Sequence, residues 1–193
     1  MTPDLVERKR TLRRQILERL RQVSPEEIVQ ASARLCAQLR PQTVWRDCQS
    51  LLAFFPMPGE PDIRPLLEEA LTAGKTVALP RFNSGRGDSE ARVVPDLSAL
   101  RPAHFGILEP GPECSPIELN RLDFFLVPGV GYDVNGRRLG RGKGYFDRLL
   151  AQVRGHKCGV ALEWQVVAEV PVGPHDVRMN SLLTPLRWFR CAD

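Results

Sequence analysis

The segment whose residue types best suit chemistry on a phosphate is a glycine-rich basic loop. Residues 135–147 read Asn-Gly-Arg-Arg-Leu-Gly-Arg-Gly-Lys-Gly-Tyr-Phe-Asp, and they follow a short apolar run at 124–127. Gly140, Gly142 and Gly144 allow the backbone to approach a ligand closely and to adopt positive φ. Because exposed amides at a helix start bind anions, this order of strand, loop and helix predicts a phosphate site.

The charged side chains of the same loop suit a polyphosphate and its metal ion. Arg138, Arg141 and Lys143 supply positive charge, and Asp147 lies one turn into the predicted helix. Mg²⁺ at nucleotide sites prefers a carboxylate together with phosphate oxygens and water. Asp147 is therefore the first candidate metal ligand.

The loop departs from the common phosphate fingerprints. A Walker A motif would need Gly at 137 and Ser or Thr at 144, where this chain has Arg137 and Gly144. The dinucleotide pattern G-x-G-x-x-G fails because residue 145 is Tyr. A surface turn and an RNA-contacting loop remain alternative interpretations.

The elements around the loop are predicted to alternate between helices and strands. Hydrophobic periodicity predicts amphipathic helices at 5–20, 25–39, 63–73 and 145–153. A capping box at Ser24-Pro25-Glu26-Glu27 starts the second helix, whereas Asp62 caps the third and Gly74 ends it.

Short apolar runs predict buried strands at 51–55, 76–79, 124–127, 158–162 and 181–184, the last run being the final strand. The segments 83–90 and 109–116 are predicted loops. Short strand-helix-strand connections favour parallel pairing with a right-handed crossover. We therefore expect a single three-layer α/β/α domain over 1–193, with a mostly parallel, Rossmann-like central sheet.

Composition is that of an ordinary globular protein. The 193 residues are 42% hydrophobic and 26% charged. No apolar run approaches the roughly 18 residues of a membrane helix, and the Arg-rich start is unlike a secretory signal. The five cysteines are scattered and form no C-x-x-C pair. We expect a cytoplasmic protein with reduced cysteines and no membrane partner.

The net charge of +4 and the pI of about 9.0 permit an anionic partner. Seven basic residues and one acid lie between Arg8 and Arg21, and a second basic cluster spans 137–148. A solvated helix face is the plain interpretation of the first cluster, and a nucleic-acid surface is another. With only 7% aromatic residues, few of them beside the basic runs, nucleic-acid binding is not our expectation.

Residues 135–147 resemble the signature loop of the 5-formyltetrahydrofolate cyclo-ligase family, also called methenyltetrahydrofolate synthetases. Other segments resemble the family in the same order along the chain: the basic run 9–13, the Phe-Phe-Pro-Met-Pro-Gly-Glu-Pro-Asp of 54–62, Pro80-Arg81, the Phe-Gly-Ile-Leu-Glu-Pro of 105–110, His175-Asp176 and Thr184. The resemblance covers nearly the whole chain.

The resemblance implies an enzyme that uses Mg-ATP to convert 5-formyltetrahydrofolate into 5,10-methenyltetrahydrofolate, releasing ADP and phosphate. It implies ATP contacts at Lys9, Arg10, Arg13, Arg138, Leu139, Gly140, Arg141, Gly142, Lys143, Gly144, Tyr145 and Phe146. Arg141 and Lys143 would act at the γ-phosphate, and Tyr145 at the reacting oxygen. The substrate is a folate with or without a polyglutamate tail, and we expect a monomer.

The same resemblance implies substrate contacts at Arg13, Phe55, Glu60, Phe105 and Tyr145. For Phe55 and Phe105, plain core packing is the alternative. It also implies Mg²⁺ ligands at Asp147 and Asp176, and for Asp176 a turn cap is the alternative.

Three positions depart from the family pattern. Phe146 replaces the second tyrosine of a Tyr-Tyr-Asp sequence, Asn180 replaces a frequent Asp, and Pro185 stands where Glu often follows Thr184. The last two changes weaken the case for a metal ligand from the C-terminal region. They leave the loop unaffected.

Two rival functions are also consistent with the sequence. One is another ATP- or phosphosugar-dependent enzyme on a similar scaffold, which would lack the pterin pocket. The other is the nucleic-acid-binding module considered above, whose RNA binding would depend strongly on salt.

Overall fold

The computed structural model of the chain describes residues 2–83, 88–103, 107–151 and 153–191. The helices are α1 (Pro3–Leu20), α2 (Pro25–Leu39), α3 (Thr43–Arg46), α4 (Arg64–Thr72) and α5 (Tyr145–Leu150). The strands are β1 (Ser50–Leu52), β2 (Thr76–Asn83), β3 (Asp88–Val93), β4 (Leu100–Pro102), β5 (Leu108–Pro110), β6 (Pro116–Ile117), β7 (Phe124–Pro128), β8 (Gly131–Tyr132), β9 (Arg138–Leu139), β10 (His156–Val160), β11 (Ser181–Leu183) and β12 (Trp188–Arg190).

The described residues form an eight-stranded sheet in the order β12-β11-β10-β7-β1-β2-β3-β6. Its middle strands, from β11 to β2, pair in parallel, which confirms the predicted mostly parallel sheet. Numbered along the chain, these five strands take the order 2-1-3-4-5, and the order reverses between β1 and β7. This flavodoxin-like order shares the switch point of Rossmann folds, where a crevice opens beyond the carboxyl ends of the strands.

Antiparallel strands at both edges of the sheet differ from the prediction. β3 covers the end of the segment 83–90 that was predicted as a loop, and β12 follows the strand that was expected to be last. β3 has a polar sequence, but its backbone pairs with β2 along the register Ala78 to Asn83. Such pairing depends on a distant partner, so local composition does not reveal it.

Both faces of the sheet are covered by apolar side chains. Leu51 of β1 lies in one buried cluster with Leu35 of α2 and Leu66 of α4, whereas its neighbour Leu52 lies in a second cluster with Leu149 of α5. This alternation follows from the opposite directions of successive side chains on a strand. The three-layer arrangement and the single domain over 1–193 stay predictions, and the two clusters support the layers.

The predicted helix signals hold in part. Ser24 Oγ accepts a hydrogen bond from the Glu27 amide at 3.2 Å and Glu27 Oε2 accepts one from the Ser24 amide at 2.9 Å, which confirms the capping box. In α4 the N-cap is Ile63 and not Asp62. Asp62 instead accepts bonds from the Arg64 amide and guanidinium, which lower the pKa of its carboxyl. None of the described helices is long and apolar enough to cross a bilayer.

We predict that Lys75 stabilises the start of β2 through the chain before β1. Its Nζ donates to the carbonyl oxygens of Trp45 at 2.9 Å, Arg46 at 3.1 Å and Cys48 at 2.5 Å. Lys75→Met keeps the apolar stem but leaves these carbonyls without their donor, so the free energy of unfolding should fall by about 1–3 kcal/mol. Urea unfolding measures the change. An unchanged midpoint, with Arg10→Met as exposed control, would contradict the role.

Candidate active site

A cavity of about 550 Å³ lies at the reversal of the strand order. Its walls include Phe54 and Phe55 after β1, and Pro128 and Gly129 at the end of β7. The other lining residues are Met57, Glu60, Leu79, Pro80, Phe82, Ile107, Leu108, Glu109, Arg138, Gly140, Arg141, Lys143, Gly144, Tyr145, Phe146 and Asp147. The crevice expected beyond the strand ends is therefore present, with the basic loop as one wall and apolar side chains around it.

The basic loop leaves a short hairpin and ends at a helix. β8 pairs with β9, and residues 140–144 then lead into α5. Gly142 has φ +99° and Gly144, the N-cap of α5, has φ +67°. Residues with a Cβ rarely adopt these angles, so the two glycines shape the turn, whereas Gly140 does not have a positive φ.

Asp133 anchors the hairpin from beneath and was missed by the sequence reasoning. The fully buried carboxylate accepts hydrogen bonds from the amides of Asn135 at 3.0 Å, Arg137 at 3.2 Å and Val170 at 2.9 Å. An Asp followed two and three residues later by Asn-Gly is a turn signal that could have identified the first two bonds. The bond to Val170 joins the hairpin to a segment far along the chain.

Arg138 enters the cavity from β9 and is almost fully buried. Its Nη2 lies 2.8 Å from Asp147 Oδ1, its Nη1 donates to the Pro128 carbonyl at 3.2 Å, and its guanidinium lies 5.9 Å from the centre of the Phe146 ring. The charge of this predicted ATP contact is thus balanced by the predicted metal ligand.

Arg141 is held by Glu60. Arg141 donates from Nε at 3.2 Å and from Nη2 at 2.8 Å to Glu60 Oε1, and the Met57 amide donates to Glu60 Oε2 at 3.1 Å. Glu60 is buried, whereas the Arg141 side chain is about half exposed. Glu60 therefore orients the arginine towards the cavity.

Lys143 differs from the other two loop cations. Its side chain is exposed at the cavity, and among the described residues its ammonium makes no hydrogen bond or ion pair. Its backbone carbonyl accepts a bond from Arg148 Nη1 at 3.1 Å. The described part of the loop therefore presents one cation to the cavity that has no carboxylate to balance it.

Tyr145 forms the aromatic wall beside Lys143. Its ring lies 4.8 Å from the Phe82 ring, centre to centre, and the Arg148 guanidinium lies 5.2 Å from the same ring. These contacts fix the ring at the junction of the loop and the apolar part of the cavity.

Helix α1 supports the loop from outside the cavity. Arg13 Nε donates to the Gly140 carbonyl at 2.9 Å, and burial lowers the pKa of Arg13. Lys9 Nζ lies 2.5 Å from Asp176 Oδ2, which also accepts from the Gly173 amide. Arg10 pairs with Glu7 on the exposed side of the helix. The structure thus brings Arg13 to the loop but does not bring Arg10 to it.

The predicted site residues divide into two groups. Most of them line the cavity: Phe55, Glu60, Arg138, Gly140, Arg141, Lys143, Gly144, Tyr145, Phe146 and Asp147. A second set does not line it: Lys9, Arg10, Arg13, Leu139, Gly142 and Asp176. Phe105 lies outside the described residues. Glu109 also lines the cavity, although the sequence analysis predicted no function for it.

The two predicted metal ligands differ in their surroundings. Asp147 lines the cavity, and its buried Oδ1 has no hydrogen-bond partner, although Arg138 lies within ion-pair distance. A carboxylate oxygen in this state fits a cation that arrives with phosphate oxygens. Asp176 Oδ2 is engaged by Lys9 and Gly173, so Asp176 fits the alternative of a turn anchor. Within the described ranges, no three His, Cys, Asp or Glu residues cluster as metal ligands.

Known proteins match this chain over most of its length. A model of the 5-formyltetrahydrofolate cyclo-ligase family matches residues 6–185. The 5-formyltetrahydrofolate cyclo-ligase of Mycolicibacterium smegmatis is 35% identical over 148 residues, which are 72% of this chain and 75% of that protein. The mouse (Mus musculus) protein of the same name is 28% identical over 187 residues, 91% and 92% of the two chains.

A solved structure gives the same result. The NMR structure of Aquifex aeolicus 5,10-methenyltetrahydrofolate synthetase matches with a TM-score of 0.85 and 33% identity, over 96% of this chain and 93% of that chain. The sequence and the fold both match this family over nearly the whole chain, as the resemblance of residues 135–147 to its signature loop predicted. The chain belongs to the 5-formyltetrahydrofolate cyclo-ligase family.

Proposed function

We propose that this protein converts 5-formyltetrahydrofolate and ATP into 5,10-methenyltetrahydrofolate, ADP and phosphate. The observation that carries the proposal is the position of Lys143. This unbalanced cation stands on a glycine loop at the mouth of a cavity with aromatic walls, beside Arg141 and Tyr145. A polyphosphate would supply the missing negative charge, and the aromatic walls suit a flat heterocycle.

The reaction needs ATP because a formamide oxygen is a poor leaving group. In the proposed sequence, the formyl oxygen attacks the γ-phosphorus of ATP, and the bond from that phosphorus to the bridging oxygen of ADP breaks. The N10 nitrogen of the folate then attacks the activated formyl carbon. N10 loses its proton, the C–O bond breaks, and phosphate leaves with the former formyl oxygen.

The loop supports the first step by electrostatics. Lys143 and Arg141 are placed to stabilise the charge on the transferring phosphoryl group, and the backbone amides of 140–144 are proposed donors to the other phosphates. Asp147 would hold the Mg²⁺ ion, whose charge offsets that of the phosphates. Arg138 would exchange its partner Asp147 for a phosphate oxygen.

The cavity supports the second step by proximity. Holding N10 against the formyl carbon can contribute about 7–11 kcal/mol when the geometry is ideal. Phe55 and Glu60 are proposed contacts on the pterin side, Tyr145 reaches the reacting oxygen, and Arg13 fixes the loop that both ligands touch. An exposed basic face on α1 is compatible with a polyglutamate tail. Monomeric state and a cytoplasmic location complete the proposal.

The test is turnover of the purified protein with 5-formyltetrahydrofolate, ATP and Mg²⁺, followed by the absorbance of methenyl-folate. We expect product only when all three are present, with one ADP released per product. ATP binding without any folate turnover would refute the folate assignment and favour another ATP-dependent reaction at the same loop.

A further inference from the structure

The ion pair between Glu60 and Arg141 connects the two parts of the candidate site. Glu60 lies in the segment between β1 and α4, Arg141 lies in the basic loop, and both side chains line the cavity. The proposed function places Arg141 at the γ-phosphate of ATP and Glu60 on the pterin side. The pair therefore joins a residue that would contact the nucleotide to one that would contact the folate.

The two oxygens of the Glu60 carboxylate are held in different ways. Oε2 accepts a hydrogen bond from the Met57 amide at 3.1 Å, and the Glu60 amide donates to the Met57 carbonyl at 2.9 Å, which closes a turn. Oε1 accepts from Arg141 Nε at 3.2 Å and from Arg141 Nη2 at 2.8 Å. Within the described part of the chain, Oε1 thus depends on Arg141 for both of its donors, whereas Oε2 is bound inside its own turn.

The two partners differ in their exposure to solvent. The Glu60 side chain is only 8% exposed, whereas that of Arg141 is 47% exposed. A buried carboxylate oxygen that loses its donors is costly, because water does not replace them. A half-exposed guanidinium can turn to another anion at a smaller cost. Arg141 can therefore change its partner only if another group satisfies Glu60.

The two proposed ligands supply the replacements. A guanidinium pairs strongly with phosphate oxygens, so a γ-phosphate at the loop would draw Arg141 away from Glu60. Oε1 would then be open to the N–H groups of the pterin ring. Without a nucleotide, the folate would have to compete with Arg141 for the same oxygen. Each ligand would thus favour the arrangement of the pair that the other ligand needs.

We propose that Arg141 is a positioning residue for the folate: acting through Glu60, it makes folate affinity depend on the γ-phosphate of the bound nucleotide. This inference rests on the proposed function, and it adds a coupling between the two ligand positions. Because coupling of binding is reciprocal, the folate raises the affinity for the nucleotide by the same factor.

The wild-type protein gives the first test, which needs no variant and no turnover. 5-Formyltetrahydrofolate would be titrated by calorimetry in the presence of Mg²⁺, either alone, with ADP, or with the non-hydrolysable ATP analogue AMP-PNP. We expect folate to bind about tenfold more tightly with AMP-PNP than without nucleotide, and ADP to change the affinity by less than about twofold. Equal folate affinity with AMP-PNP and with no nucleotide would overturn the inference.

Two variants separate the ion pair from direct contact between the ligands. Arg141→Met frees Glu60 permanently, so the nucleotide-free variant should bind folate about tenfold more tightly than nucleotide-free wild type, and saturating AMP-PNP should add little. Glu60→Gln should weaken folate binding mainly when AMP-PNP is present. A residue that only maintained the fold would lower the affinity in both states.

The matched control is Glu69→Gln, which changes an exposed ion pair with Arg40 and should keep the wild-type coupling. Wild-type coupling in Glu60→Gln, or folate binding by nucleotide-free Arg141→Met that is no tighter than that of the wild type, would overturn the inference. If the wild type turns over the folate but shows no coupling, the inference fails and the proposed function stands. Failure of the wild type to bind the folate in any state would refute the proposed function, and the coupling with it.

Discussion

Replacing Lys143 by Met should lower kcat about 10²–10³-fold while the protein stays folded. The reason is that Lys143 is the cation whose charge, among the described residues, no carboxylate balances, so its interaction is formed with the ligand alone. Removing one such donor from a developing oxyanion costs this order of magnitude in other enzymes. Because the side chain is exposed, the free energy of unfolding should change little. Steady-state turnover and thermal melting measure the two quantities.

Two variants serve as controls for this prediction. Lys143→Arg keeps the charge and should retain more activity than Lys143→Met. Arg14→Met removes an exposed cation from α1 and should have no effect on kcat. If Lys143→Met turned over at the wild-type rate, or if Arg14→Met were equally damaging, the role of Lys143 at the phosphoryl group would be refuted.

The second large effect is expected from substitution of Asp133, which should mainly lower the free energy of unfolding. Asp133→Ala would leave the buried amide of Val170 and the partly buried amides of Asn135 and Arg137 without their acceptor. Each unsatisfied buried donor costs about 1–3 kcal/mol, and partial relaxation limits the total to about 3–5 kcal/mol. Urea unfolding monitored by circular dichroism measures this loss.

Asp133→Asn tests the anchoring role of the side chain in a variant that should still fold. The amide keeps the size of the carboxylate and one acceptor oxygen, so we expect an intermediate loss of stability and a raised KM for ATP, since the hairpin carries Arg138. Asp47→Asn, at an exposed position, is the matched control and should be neutral. Wild-type stability of both Asp133 variants would contradict the anchoring role.

Local signals predicted the elements that depend on neighbouring residues. The capping box of α2 and the apolar runs of β1, β7 and β10 can be recognised within a few residues, because helix caps and buried strands have local physical causes. The strand predicted at 158–162 lies at His156–Val160, and the helix predicted to end at Val153 ends at Leu150. Errors of this size are usual at element ends, where fraying and caps compete.

Elements that depend on distant partners were not predictable in the same way. β3 and β12 exist because β2 and β11 offer them backbone hydrogen bonds. Their sequences contain no strong alternation that would separate them from loops. Non-local pairing therefore decided the edges of the sheet, whereas hydrophobic pattern decided its centre.

The candidate site shows the same division. The glycines of 140–144 were sufficient to predict a loop with positive φ before a helix, which Gly142 and Gly144 confirm. The ion pairs of Arg138 with Asp147 and of Arg141 with Glu60 could not be predicted from the sequence. The second of them joins residues that lie 81 positions apart in the chain. Glu109 was missed for the same reason: its place in the cavity depends on the contact between β5 and β2.

Two carboxylates pair with cations of the loop and stabilise it. Several positive charges close together would repel one another, and Glu60 and Asp147 reduce that repulsion at Arg141 and Arg138. The pairs also hold both guanidinium groups at the cavity wall. Under the proposed function, a phosphate oxygen would take the place of the carboxylate beside each guanidinium, so that a new ion pair offsets the one lost.

The proposed reaction requires phosphorylation of the formyl oxygen itself, and isotope transfer can detect this step. 5-Formyltetrahydrofolate labelled with ¹⁸O in the formyl group would be turned over with ATP, Mg²⁺ and the purified protein in unlabelled water. We expect the phosphate released with each methenyl-folate to carry the ¹⁸O atom. Release of unlabelled phosphate would show that water attacks ATP separately from ring closure, and it would refute phosphorylation of the formyl oxygen.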